Sequence, residues 1–88
     1  MVAKKYQELI VWQLADELRQ EVYGLTASGT IVRDFKSRSQ LRDAAGAIAP
    51  NIAEGFRRGS STDNARFVTY ALTSLDETQD RLDVSCLR

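Results

Sequence analysis

The side chains of this sequence best suited to chemistry are cationic. Arg38 and Arg42 stand one helical turn apart, and Arg57 and Arg58 are neighbours. Guanidinium groups clustered in this way pair with phosphates and release counterions, so RNA or DNA is the ligand such a patch would take. Residues 31–66 hold an excess of cations: Arg33, Lys36, Arg38, Arg42, Arg57, Arg58 and Arg66 against Asp34, Asp43, Glu54 and Asp63. The rest of the chain cancels it. With 12 Lys+Arg and 12 Asp+Glu the formal net charge is +0, whereas nucleic-acid-binding domains are commonly basic overall. A solvated rim with local ion pairs, Arg66 to Asp63 for example, is therefore the favoured reading, and a nucleic-acid surface is the alternative.

The carboxylates are less suggestive. Asp76, Asp80 and Asp83 are spaced i, i+4, i+7 and line one helix face. Such oxygens suit Mg²⁺ or Ca²⁺, but no facing ligands are identifiable, so a hydrated acidic face without metal is expected. Glu54 lies in the segment Pro50-Asn51-Ile52-Ala53-Glu54-Gly55. No nucleophile or second acid is grouped with it. Its expected role is structural, as an acceptor for a helix end or for Arg57 and Arg58. Asn51 is expected to satisfy backbone groups freed by Pro50.

The chain has no His, which excludes His-based triads, Cys₂His₂ zinc sites and Glu-x-x-His di-iron sites. Its single Cys, Cys86, excludes an intrachain disulfide framework and fits a reducing cytoplasm. No base is identifiable near it, so an inert thiol is expected. The loop from Gly55 to Ser61 lacks the Gly-Lys-Ser/Thr ending of a phosphate loop and follows a helix. Nothing assembles into a catalytic constellation. A non-enzymatic protein without cofactor, metal or small-molecule substrate is the expectation.

These residues must be positioned by helices. The 88 residues allow one small domain, residues 1–88, and no segment alternates with period two. A first helix is predicted from about Lys5 to Leu25, with Ile10, Leu14, Leu18, Val22 and Leu25 on one broad face. Trp12 and Tyr23 share a second face with Leu9 nearby. A second helix should start between Asp34 and Ser39 and end near Glu54, with Gly55 as its C-cap and a kink or break at Pro50. Its stripe is Leu41, Ala44, Ala45, Ile48 and Ile52. A third should run from about Thr62 to Val84 on Val68, Ala71, Leu72, Leu75 and Leu82. The fold class is all-α, an antiparallel up-and-down helical bundle with three long helices of a four-helix-bundle pattern. Two apolar faces on the first helix exceed what three helices can cover. A homo-oligomer is expected, with Leu9, Trp12 and Tyr23 as candidate interface residues; for Trp12 the intramolecular core is an equal alternative. No stretch is long and apolar enough for a membrane span or a signal peptide, so no membrane partner is expected.

LIVWQ (Leu9 to Gln13), SQLR (Ser39 to Arg42), PNIAEG (Pro50 to Gly55) and the pair Ser74-Leu75 occur in this order. Together they resemble the bacterial four-helix-bundle proteins encoded in intervening sequences of 23S ribosomal RNA genes, over about Tyr6 to Leu82. The resemblance implies an up-down-up-down bundle that assembles into rings, commonly pentamers, with no established activity for most members. A related branch, an accessory of diversity-generating retroelements, binds RNA and reverse transcriptase through a basic ring surface. Three departures stand out. The linker Thr26 to Arg33 lacks the usual Phe-Pro step. Asp43 replaces a common second Arg. A fourth helix is lacking, which leaves an apolar groove between helices one and three for a partner to fill.

Overall fold

A computed structural model of the chain describes residues 4–28 and 34–86, and of residues 84–86 the backbone alone. A short 3₁₀ turn, Tyr6–Glu8, precedes three helices: α1 Ile10–Ala27, α2 Phe35–Arg58 and α3 Ser61–Cys86. No strand occurs among the described residues. None of the helices is long and apolar enough to cross a membrane.

The first helix starts later than its periodicity predicts. Leu9 is extended, with φ −72° and ψ 127°, and separates α1 from the 3₁₀ turn. The turn is folded back on the bundle: the Tyr6 ring packs edge-on against Trp12, with centroids 5.4 Å apart. The Arg57 guanidinium lies 4.8 Å from the Tyr6 ring centroid. Aromatic packing across the end of the bundle thus outweighs continuation of the helix.

α2 begins where its cap allows. The Asp34 carboxylate accepts from the Ser37 backbone N–H at 2.9 Å, satisfying one of the orphan donors of a helix start. The helix runs through Pro50 without a break. Pro50 is exposed, and lacking an N–H it leaves the carbonyl four residues back, on Gly46, without its helical partner. Asn51 donates its side-chain amide to the Ala47 carbonyl at 2.8 Å, one residue beyond that orphan.

Two expectations about its end need correction. α2 extends a full turn past Glu54, to Arg58, and its C-cap is Gly59, left-handed at φ 72°. Gly55 is instead an interior residue at a close approach. A Cβ there would sit 3.2 Å from the Phe67 Cβ and 3.4 Å from the Asn64 carbonyl oxygen. Asn64 donates to the Gly55 carbonyl at 3.1 Å, tying α3 to α2 at this crossing.

Only Gly59 and Ser60 join α2 to α3, so the two helices form an antiparallel hairpin. Ser60 caps α3, its hydroxyl accepting from the Asp63 N–H at 3.2 Å. The long axis of the molecule, 42 Å, matches the length of its longest helix, about 39 Å at 1.5 Å per residue.

α1 and α3 both pack on α2 and not on each other. The core is therefore two seams along the central helix. One joins Val22, Leu41 and Ala45, with Leu18 and Leu82 against them. The other joins Ala15, Ile48, Ala49 and Ala71, with Trp12, Leu18 and Ile52 against them. Small residues at Ala44, Ala45, Ala49 and Ala53, all buried, let the outer helices approach closely.

The predicted stripes of α1 and α3 are rotated relative to what is buried. On α1 the buried residues are Ala15, Val22 and Thr26. Ile10, at 71% exposed, and Leu14, at 58%, face outward although they belong to the broad apolar face. On α3, Ala71 and Thr78 are buried while Val68, Leu72 and Leu75 are open. The reason is geometric: each outer helix has one neighbour, which covers one side of a wide apolar arc.

Candidate functional site

The uncovered sides of α1 and α3 face a common groove of about 470 Å³. Val11, Leu14 and Leu18 form one wall, and Val68, Leu72 and Leu75 the other. Ile48 and Ile52 of α2 lie between them, with Leu9 and Phe56 also in the lining. Asn64 is the one polar residue among those that line it. A surface lined almost wholly by apolar side chains has the character of a helix-packing surface.

The family resemblance implies an open groove between helices one and three, and the structure has it there. Sequence reasoning did not identify Val11, Leu14, Val68 and Leu72 as exposed. The available signal was the width of the apolar arc on α1, where Ile10, Leu14, Leu25, Leu18, Val11, Val22, Ala15 and Trp12 succeed one another around more than half the circumference at 100° per residue. No single neighbouring helix covers such an arc.

Of the three candidate interface residues, Leu9 is half-buried and lines the groove. Trp12 is half-buried and packs on the Ala15–Ile48–Ala49–Ala71 cluster, on the opposite side of α1 from Leu14. Tyr23 is 41% exposed. Its ring is flanked by two guanidiniums, Arg42 at 5.0 Å and Arg19 at 5.6 Å from the centroid.

The four candidate arginines do not form one patch. Arg38 and Arg42 belong to the first turns of α2, and Arg57 and Arg58 to its last. At 1.5 Å per residue the two pairs are about 25 Å apart. Three of the four are engaged within the chain. Arg42 donates from Nε to the Thr26 hydroxyl at 2.7 Å and from Nη2 to the Tyr23 carbonyl at 3.4 Å. Thr26, fully buried, donates its own hydroxyl to the Val22 carbonyl at 2.7 Å. A cation at the last turn of α1 also opposes the negative end of that helix dipole. Arg42 is thus a clamp between α1 and α2.

Arg57 and Arg58 both pair with Glu54, at 3.2 Å and 3.0 Å. Their guanidiniums cover the Tyr6 and Phe67 rings, at 4.8 Å and 5.1 Å from the centroids. Glu54 therefore accepts from Arg57 and Arg58, the structural role expected of it. Arg38 is half-buried and its side chain makes no ion pair or hydrogen bond among the described residues.

Arg66 pairs with Asp63 at 3.6 Å, as the sequence suggested. Arg81 does not offset Asp76, Asp80 and Asp83. It binds Glu77 at 3.3 Å and the Gln40 side chain at 2.7 Å, a second link from α3 to α2. No group of three His, Cys, Asp or Glu able to hold a metal ion occurs among the described residues. The Cys86 side chain and the linker residues 29–33 lie outside the described residues.

Comparison with known proteins agrees with this architecture. The description "23S rRNA-intervening sequence protein" belongs to the family whose pattern matches residues 7–87. No curated protein and no solved structure gave a significant match. The match spans nearly the whole chain, and the chain belongs to this family.

Proposed function

We propose that this member of the 23S rRNA-intervening sequence family is a non-enzymatic interaction protein, a helical scaffold that closes its groove with a helix from another chain. In the absence of other partners, copies of the chain supply that cover, which makes it a homo-oligomer. By the resemblance to ring-forming members, a pentamer is the expected assembly. Its single cysteine suits a reducing cytoplasm.

One observation carries the reading: the uncovered apolar groove between α1 and α3. The chain is also open for its size. The chain exposes 6073 Å², whereas a folded monomer of 9.9 kDa exposes about 5,200 Å². The excess, about 870 Å², belongs to the whole three-helix chain, in which α1 and α3 each have a single helical neighbour.

Light scattering coupled to size exclusion tests it. The wild-type mass should be a multiple of 9.9 kDa. Leu14→Asp with Leu72→Asp should lower that mass without loss of helicity, because both side chains are more than half exposed in the single chain. A wild type that elutes as one chain at micromolar concentration overturns self-association.

The alternative, an RNA- or DNA-binding ring, has weaker support. It rests on Arg38, since Arg42, Arg57 and Arg58 are engaged within the chain. A salt series separates the two readings. A nucleic-acid surface with several phosphate contacts gives a log–log slope steeper than about −3, and a scaffold gives no salt-dependent binding.

A further inference from the structure

The start of α1 differs from the starts of the other two helices. α2 opens on Asp34 and α3 on Ser60, and each side chain accepts from a backbone N–H of the first turn. α1 opens on Leu9, whose side chain can accept nothing. The amides of Ile10, Val11 and Trp12 have no hydrogen-bond partner among the described residues. The ladder begins only at Gln13, which donates to the Leu9 carbonyl at 3.1 Å. The carbonyls that would complete the missing turn lie just upstream, on Tyr6, Gln7 and Glu8. Lys4, Lys5, Gln7, Glu8 and Leu9 are good helix formers, and no Gly or Pro separates them from α1.

What keeps these residues out of the helix is thin. None of Tyr6, Gln7 and Glu8 is buried. Among the described residues their hydrogen bonds run within residues 4–9 or to the Gln13 side chain, which donates to the Gln7 carbonyl at 3.0 Å. The Tyr6 ring is the anchor. It lies edge-on to Trp12, with centroids 5.4 Å apart, and 4.8 Å beneath the Arg57 guanidinium. Arg57 is itself shared with Glu54, at 3.2 Å. Local preference and tertiary contact therefore pull residues 4–9 toward different conformations.

We propose that residues 4–9 are a two-state strap. Docked, they fold back and hold Tyr6 between Trp12 and Arg57. Released, they continue α1 back toward Lys5, and the carbonyls of Tyr6, Gln7 and Glu8 take up the three free amides. The switch relocates two side chains. Tyr6 leaves Trp12 and Arg57, which uncovers the indole and leaves the guanidinium to Glu54. Leu9 lines the groove in its extended conformation; in a continued helix, at 100° per residue, it falls on the face of Trp12 and Tyr23. Contact with Leu9 in the groove therefore holds the strap down, and contact with Trp12 or Arg57 lifts it. This coupling is the same whatever packs in the groove.

Amide-resolved hydrogen exchange on the full chain tests this. Tyr6→Ala removes the anchor, and it should slow exchange at Ile10, Val11 and Trp12 by about ten-fold. It should also raise the acrylamide quenching of Trp12, the single tryptophan. Arg57→Met loosens the other side of the ring and should act in the same direction by a smaller factor. Ile10→Pro locks the docked state. Proline suits the first helical position, keeps the preceding Leu9 extended and replaces a side chain that is 71% exposed. Added to Tyr6→Ala, it should abolish the slowing at Val11 and Trp12. A strap that is packing alone gives the reverse pattern: Tyr6→Ala frays the end, and the three amides exchange as fast as before or faster. That result overturns the inference, and so does slowing that survives Ile10→Pro. Should Tyr6→Ala destabilise the whole chain, Arg57→Met with and without Ile10→Pro supplies the same comparison.

Discussion

The seams along α2 and the groove between α1 and α3 are built from the same kinds of residue on the same helices, with opposite outcomes. Along the seams Leu41 and Ala45 are 0% exposed and Ile48 and Ala49 5%. Along the groove Val11 and Leu14 are 58% exposed and Leu72 56%. Hydrophobicity does not separate the two regions; the number of neighbours does. α2 has a helix on each side, and its small residues let both come close. α1 and α3 each have one, so half of each apolar arc is left over. The seam is the fold, and the groove is the apolar surface that the three helices leave uncovered.

The largest expected contrast comes from placing the same charge in each region. Ile48→Asp buries a carboxylate with no partner, which costs several kcal/mol. A small domain with only roughly 5–15 kcal/mol of stability, and one this size at the low end, should unfold or nearly so. Leu72→Asp puts the carboxylate where water already reaches, and should change subunit stability by no more than about 0.5 kcal/mol. Thermal melts followed by circular dichroism read both. Similar losses in the two variants would erase the distinction between seam and groove.

A smaller effect sharpens the same contrast among the arginines. Arg42 makes two hydrogen bonds across to α1 and touches a fully buried threonine. Arg57 makes an i,i+3 pair with its side chain 55% exposed. Arg42→Met should cost about 1–3 kcal/mol, the range for a charge-assisted hydrogen bond with loss of a helix-end cation. Arg57→Met should cost less than about 1 kcal/mol, as exposed ion pairs do. In urea unfolding the first should lower the midpoint clearly with an unchanged slope. Equal midpoints would mean that Arg42 is as free to meet a ligand as a surface residue.

These particular residues also mark what was legible in the sequence. The helix count and the surplus of apolar surface on α1 follow from periodicity, which is local, whereas the open groove between α1 and α3 follows from the family resemblance. Glu54 as the acceptor for Arg57 and Arg58 follows from i,i+3 and i,i+4 spacing, local again. Arg42 as a clamp does not, because its partners Tyr23 and Thr26 are on another helix, across a loop. The side of α1 that is buried was equally hidden. A wide apolar arc has several possible buried sides, and only docking on α2 chooses among them. Gly55 was misjudged for a related reason. A glycine near a helix end is equally consistent with a cap and with a close crossing, and the side chain that decides, Phe67, comes from the next helix.

That ambiguity yields the finest test, one substitution made at two glycines. Gly24 lies inside α1 with no atom within 4 Å of where a Cβ would go. Gly24→Ala should therefore stabilise by about 1 kcal/mol, the full difference in helix propensity. Gly55 is also inside a helix and gains the same propensity. Its added Cβ, however, meets the Phe67 Cβ at 3.2 Å and the Asn64 carbonyl oxygen at 3.4 Å. Neither is the far end of a flexible side chain, so relief requires α3 to move off α2. Overpacking of this kind costs about 1–3 kcal/mol, and the shift also stretches the 3.1 Å bond from Asn64 to the Gly55 carbonyl. The balance should be a net loss of about 1 kcal/mol, opposite in sign to Gly24→Ala. Chemical denaturation resolves a difference of that size. If both variants are stabilised alike, the α2–α3 crossing has slack, and the seam is no more constrained there than the groove wall.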